Sequence, residues 1–167
     1  MAKSLRYTVK YRRHRKQRTN YRKRLELLKS GELRLVIRRG HNNIVAQIVK
    51  YEPQGDRILF SFTSQNLKKM GWKGHGGNIP TAYLVGYALG KKANKKVKKL
   101  IVDIGLHKVV KGSSLFACMK GVADAGIEIS YNEEILPSED RIMGKHISED
   151  YPKMFEAMKN KIEGEFK

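Results

Sequence analysis

Between Leu33 and Phe62 the chain alternates apolar and polar residues with a period of two, a pattern no amphipathic helix can use. Leu33, Leu35 and Ile37 stand against Arg34, Val36 and Arg38. Ile44, Ala46 and Ile48 stand against Val45, Gln47 and Val49, and Ile58, Phe60 and Phe62 follow at the same spacing. Successive side chains of a strand point to opposite faces, so each run gives a strand with one apolar face. Arg39-Gly40-His41-Asn42-Asn43 supplies a hairpin tip, and Pro53-Gln54-Gly55-Asp56 a second turn. The expected product is an antiparallel three-strand meander whose apolar face needs a cover.

The cover is expected from the residues that follow, where the period changes. Ser64–Asn78 is polar and glycine-rich. Pro80 can open a helix running through Lys92, with the stretch AYLVGYAL apolar nearly all round and therefore deeply buried. Leu100–Ile104, LIVDI, has the continuous apolar character of a buried parallel strand. Ser113 or Ser114 caps a helix with Leu115, Met119 and Val122 on one face, and Gly126 stops it. Ile127 and Ile129 begin a short last strand. Strand–helix units after a meander predict an α/β fold with a mixed sheet covered by helices. Asp150 and Pro152 start a final helix with Met154, Phe155, Met158 and Ile162 apolar, which Gly164 ends. Upstream, Thr19 can cap a helix to about Ser30, with Tyr21, Leu25 and Leu28 on one face.

Charge is the second constraint. Arg6 to Arg24 holds ten Lys and Arg, one His and three Tyr in nineteen residues, and the first acid of the chain is Glu26. Such a segment repels itself and has almost no apolar anchor, so residues 1–18 are expected to stay disordered in the free protein. A polyanion resolves the repulsion, because each cation that meets a phosphate releases a condensed counterion. Arg12, Arg13, Arg15, Arg18, Arg22 and Arg24 can fork onto phosphate oxygens, and Arg6, Lys10, His14 and Lys16 add to the same surface. Tyr7, Tyr11 and Tyr21 offer flat faces to unstacked bases. The alternatives are a solvated basic tail, a targeting signal or a membrane-surface helix, and the last lacks its broad apolar face. The formal net charge is +19, yet residues 122–167 carry 6 Lys and Arg against 11 acids. The last quarter does not want the polyanion that the beginning does.

Other chemistry is looked for without success. A lone Cys118 excludes an internal disulfide and suits a reducing, cytoplasmic setting. It sits beside an apolar stripe and reads as a buried inert thiol. His14, His41, His75, His107 and His146 are scattered, so no metal site is indicated. Gly86 to Lys91 has three residues between its glycines where a phosphate-binding loop has four, and Lys92 where a Ser or Thr should hold magnesium. It lies inside a helical pattern and reads as packing. Asp103 is the one acid within the strand runs, too few for a two-metal nuclease, and reads as a hydrogen-bond acceptor at a strand end. No cofactor, catalytic residue or small-molecule substrate is indicated, and no apolar run approaches a membrane span. Gly71–Gly77 is either an RNA-contacting loop or a plain surface loop, and Trp72 with Lys73 favours contact.

Four stretches then stand in a telling order: NYRKRLELLKSGELRLVIRR, NIPTAYLVGYALG, LIVDIGL and GVADAGIEI. Together they closely resemble the family of the eighteenth large-subunit ribosomal protein in its archaeal form, from about Arg6 to Ile147. The resemblance implies a ribonuclease-H-like mixed sheet, with a basic N-terminal arm laid on 5S ribosomal RNA and on neighbouring large-subunit RNA. It implies a structural role in the central protuberance of the cytoplasmic ribosome, beside other large-subunit ribosomal proteins, and no enzymatic activity. On the family's pattern Arg12, Arg13, Arg15, Arg18, Tyr21, Arg22 and Arg24 match the RNA-binding segment, and Arg38 and Arg39 match its hairpin. Asn42, Asn43 and Val45 depart from it, standing where the family often has basic residues. The expected division is residues 1–24 as the arm leading into a helix, 25–147 as the α/β core, and 148–167 as a C-terminal helix packed on or beside the core. The competing readings are a nucleic-acid enzyme on the same fold and a general DNA-compacting basic protein.

Overall fold

In the computed structural model, which describes residues 8–166, the alternating runs are strands β1 (Arg34–Arg39), β2 (Ile44–Lys50) and β3 (Arg57–Thr63), paired antiparallel in chain order. Strand β4 (Lys99–Asp103) pairs parallel with β1, and the short β5 (Glu128–Ile129) pairs parallel with β4. The sheet order is β3-β2-β1-β4-β5, so β1 is central and its two neighbours run in opposite senses. This is the α/β class with a mixed sheet that the change of period predicts.

Register decides which residues share a face. Leu35 stands opposite Ile48 on one side and Val102 on the other, and Ile37 stands opposite Ala46. Leu35, Ile37, Ile44, Ala46 and Ile48 are wholly buried. Each of the buried Leu and Ile side chains is worth about 1.5–3 kcal/mol of burial. Two helices cover this face, α4 (Ile79–Ala93) and α5 (Ser114–Asp124). They touch backbone to backbone. A side chain at Gly86 would overlap the carbonyl oxygen of Cys118, and one at Gly121 would overlap that of Tyr83. That is the packing role the sequence suggests for Gly86.

After the short helix α6 (Glu139–Met143), helix α7 (Tyr151–Glu165) lies against α4. Phe155 tilts against Tyr83 at 5.6 Å between ring centres, and Tyr87 donates its hydroxyl proton to Glu163. Asp124 and Glu163, bonded to Tyr83 and Tyr87 of α4, therefore place acids of the last quarter on the helix-covered side. Gly164 does not end α7, which continues to Glu165 because Gly164 does not take the left-handed conformation that stops a helix.

Within the polar Ser64–Asn78 run, Ser64–Lys69 forms helix α3, with Thr63 as N-cap accepting from the amide of Asn66. Two local expectations need correction. The helix after the basic segment, α2 (Tyr21–Leu28), is capped by Asn20 rather than Thr19, the Asn20 side chain accepting from the amide of Lys23. The face of α2 that looks inward is also different. Leu25 is exposed while Arg24 and Leu27 turn toward the sheet.

Candidate nucleic-acid interface

The second face of the sheet carries arginines on β1, because Arg34, Val36 and Arg38 alternate with the buried Leu35 and Ile37. Arg34 is only 1% exposed. An unpaired guanidinium at that depth would cost several kcal/mol, so the fold must bring it carboxylates. Asp103, at the end of β4, accepts from Arg34 Nη1 at 3.0 Å. Asp56, from the turn before β3, stands 2.9 Å from Arg34 Nη2 as an ion pair. Arg24 reaches the same Asp56 from α2 through both terminal nitrogens, each at 2.8 Å. Arg38 grips the other side of Asp103, donating to Oδ1 at 3.1 Å and to the main-chain carbonyl at 2.7 Å. The Gly105 amide adds a third donor to that carboxylate at 2.8 Å.

The result is a line of alternating charge, Arg24–Asp56–Arg34–Asp103–Arg38, that ties α2 to the open face of the sheet. Hydrogen bonding from Arg24, then from Arg34, holds the Asp56 carboxyl below its usual range, and the same Asp56 bond raises the Arg24 guanidinium. Both carboxylates have their oxygens engaged by arginines. Asp103 is thus the strand-end acceptor expected of it, and the two acids are arranged to hold guanidinium groups rather than metal ions.

The basic segment folds back over this face. Arg12–Arg15 forms one helical turn, α1. Gln17 at φ 50° reverses the chain, Arg13 Nε donates to Thr19 Oγ1 at 2.9 Å, and the Tyr11 ring tilts against Tyr21 at 5.2 Å. The expected disorder of residues 1–18 falls partly on residues outside those described, and so do Arg6 and Tyr7. Lys10, Tyr11, Arg12, Arg13, Arg15, Lys16 and Arg18 are exposed, and His14 is half-buried. Arg22 is exposed and pairs loosely with Glu26 at 3.6 Å. Arg13, Arg18 and Lys23 have no carboxylate partner among the described residues.

Between the folded-back segment and the sheet lies a cavity of about 520 Å³. Its roof includes Arg13, Arg18, Tyr21 and Lys23, and its floor Val36, Gln47, Val49 and Ile58. Arg34 and Asp56 are the participants that sequence reasoning missed. The alternation of LRLVIR places Arg34 on the face away from Leu35, but nothing in the pattern names its partners.

The hairpin side is arranged differently. Arg39 is exposed, and its amide donates to His107 Nε2 at 3.4 Å. Burial first, then Arg38 and Arg39, push the His107 imidazole below its ordinary value, so it is neutral near pH 7. Asn42 bonds the ring of His75 at 3.0 Å and Asn43 accepts from Ser64, so the tip asparagines serve the fold. Gly76 and Gly77 are glycines because their backbones press on the carbonyls of Asn42 and His41. Lys73 is exposed in this loop, but the expectation for Trp72 is corrected. Trp72 is 3% exposed, donates Nε1–H to Thr81 at 2.7 Å and packs edge-on against Tyr151, so its faces are not offered to a ligand.

Among the described residues no group of three or more His, Cys, Asp or Glu is placed to hold a metal ion, and no helix is long and apolar enough to cross a membrane. Fold and site together define a basic α/β protein with a cationic N-terminal segment carried on the open face of its sheet. The sequence matches the family described as ribosomal large subunit proteins 60S L5 and 50S L18 over residues 5–100 and 91–132, more than half of the chain. The chain belongs to that family, whose members are structural proteins of the large ribosomal subunit rather than enzymes.

Proposed function

We propose that this protein, an archaeal-type member of its family, binds 5S ribosomal RNA and joins it to the large-subunit RNA in the central protuberance of the cytoplasmic ribosome. Family membership is the observation that carries the reading. The basic arm supports it, since Lys10, Arg12, Arg13, Arg15, Lys16 and Arg18 are exposed without acidic partners among the described residues and can meet phosphates. Lys10, Tyr11, Arg12, Arg13, His14, Arg15, Lys16, Arg18, Tyr21 and Arg22 form the contact surface, with Arg39 and Lys73 at the hairpin side. Arg24 and Arg38 border it while holding Asp56 and Asp103. The helix-covered side, with its acids, is free for neighbouring ribosomal proteins. The strand order β3-β2-β1-β4-β5, with β2 running against the other four strands, supports a ribonuclease-H-like fold used without its catalysis.

The test is a salt titration of 5S RNA binding by the full chain and by a chain lacking residues 1–18. That cut removes eight Lys and Arg and leaves Arg24 on Asp56. If six to eight of them reach phosphates, the slope of log K against log salt becomes shallower by about 4–7 units. Equal slopes from two folded proteins would place binding on the core instead. Random duplex DNA as competitor separates the ribosomal reading from general compaction, and a magnesium-dependent cleavage assay separates it from a nuclease.

A further inference from the structure

We infer that the cavity between the arm and the open sheet face is a pocket for one unpaired nucleotide, with the phosphate under the arm and the base on the sheet. The inference rests on the RNA-binding reading and assigns that surface a base-reading site.

The lining has two chemistries on two sides. The roof gives Arg13, Arg18 and Lys23, cations without carboxylate partners among the described residues, as a phosphate requires. The floor gives Val36, Val49 and Ile58, apolar side chains that do nothing for a phosphate but suit the flat face of a base. Ile58 is 52% exposed, an apolar residue the fold leaves uncovered where the cavity opens. Gln47 stands among them; its Nε2 donates to Ser61 Oγ at 3.5 Å, which leaves the amide oxygen and a second N–H for a base edge. The half-buried Tyr21 supplies an aromatic wall.

Size and charge agree. About 520 Å³ lies within the roughly 300–1,000 Å³ of small-ligand sites, the scale of a single nucleotide. The acids at the cavity, Asp56 and Asp103, are held by Arg24, Arg34 and Arg38, so its surroundings stay positive. Arg34 is buried, and its Nε makes no hydrogen bond among the described residues, so its donor capacity is not exhausted.

The nucleotide could belong to the RNA or be free, and one set of spectra separates these sources. The full-length protein is titrated with each of the four ribonucleoside 5′-monophosphates, with inorganic phosphate, and with 5S RNA, while the methyl signals of Val36, Val49 and Ile58 and the Gln47 amide are followed. Binding of 5S RNA is measured separately by filter retention. The expected result is saturable shifts at these residues with monophosphates and with RNA, but not with phosphate alone. Gln47→Leu should weaken the preferred monophosphate roughly two- to tenfold, the loss of one amide hydrogen bond, and change the order of preference among bases. Shifts with RNA alone assign the pocket to an RNA nucleotide. Shifts with monophosphates alone assign it to a free nucleotide. RNA that binds while the cavity signals stay still, with monophosphates also silent, overturns this inference and spares the RNA reading. Cavity signals that answer monophosphates in a protein that does not retain 5S RNA do the reverse. Equal shifts from inorganic phosphate overturn the nucleotide assignment in favour of a bare anion site.

Discussion

Replacing Asp103 by Asn should destabilise the protein measurably while leaving its backbone in place. Asp103 is 7% exposed, and its carboxylate accepts from Arg34, Arg38 and the Gly105 amide at 3.0, 3.1 and 2.8 Å. Asn keeps the shape and one acceptor oxygen but removes the charge. Arg34, 1% exposed, then has Asp56 alone as counter-charge, and Asp56 already serves Arg24. Breaking a buried ion pair outright costs about 3–5 kcal/mol, and the surviving Asp56 places this loss at the low end, near 3 kcal/mol. For a chain of this size that lowers the melting temperature by roughly 6–12 °C. The assay is paired thermal and urea unfolding of the wild type and the variant. A second variant isolates the mechanism. Arg34→Met with Asp103→Leu removes both partners, and should recover at least half of the loss, because an apolar pair of similar volume needs no counter-charge. A single variant that melts within a degree of the wild type would refute the role given to the buried guanidinium. A double variant less stable than the single would refute the electrostatic account of it.

Gly86→Ala should cost about 2–4 kcal/mol, since its methyl group meets the main chain of α5, whereas Gly164→Ala in open space on α7 should gain about 0.5–1 kcal/mol; urea unfolding reads both. Cys118, wholly buried and with its thiol pushed up to about 12, should react with a disulfide reagent at pH 8 only as fast as the protein unfolds, and a stoichiometric burst in the native state would contradict its burial. The lowered Asp56 carboxyl means that the unfolded chain binds its proton more tightly than the folded one. Its contribution is therefore present above the unfolded value of 3.8 and drains as pH falls below it, so the stability gap between wild type and Asp56→Asn should narrow as pH falls below 3.8.

The sheet was legible because alternation is a local property. Leu35, Ile37, Ile44, Ala46 and Ile48 announce their common face within a few residues of one another, and the apolar girth of α4 announces what covers it. Asp103 could be placed at a strand end, and Gly86 inside a packed helix, for the same reason. The partners of Arg34 could not, because Asp103 lies 69 residues away and meets β1 only when β4 pairs parallel beside it. Trp72 misled for a different reason. An aromatic ring next to Lys73 in a glycine-rich loop is common to RNA contacts and to core anchors, and the choice is made by Thr81 on the first turn of α4, which takes the indole proton. The arginines show how far composition reaches. A count of charge treats Arg12, Arg24, Arg34 and Arg38 alike, but the fold spends three of them on Asp56 and Asp103 and leaves the first in solvent. A cation already paired with a carboxylate releases few counterions when RNA arrives. If the proposed RNA binding holds, Lys10, Arg12, Arg13, Arg15, Lys16, Arg18 and Lys23, unpaired among the described residues, carry more of its salt dependence than Arg24, Arg34 and Arg38 do. Arg24 holds the hinge between the two groups: it is committed to Asp56 in the free protein, and it borders the cavity over which the unpaired cations lie.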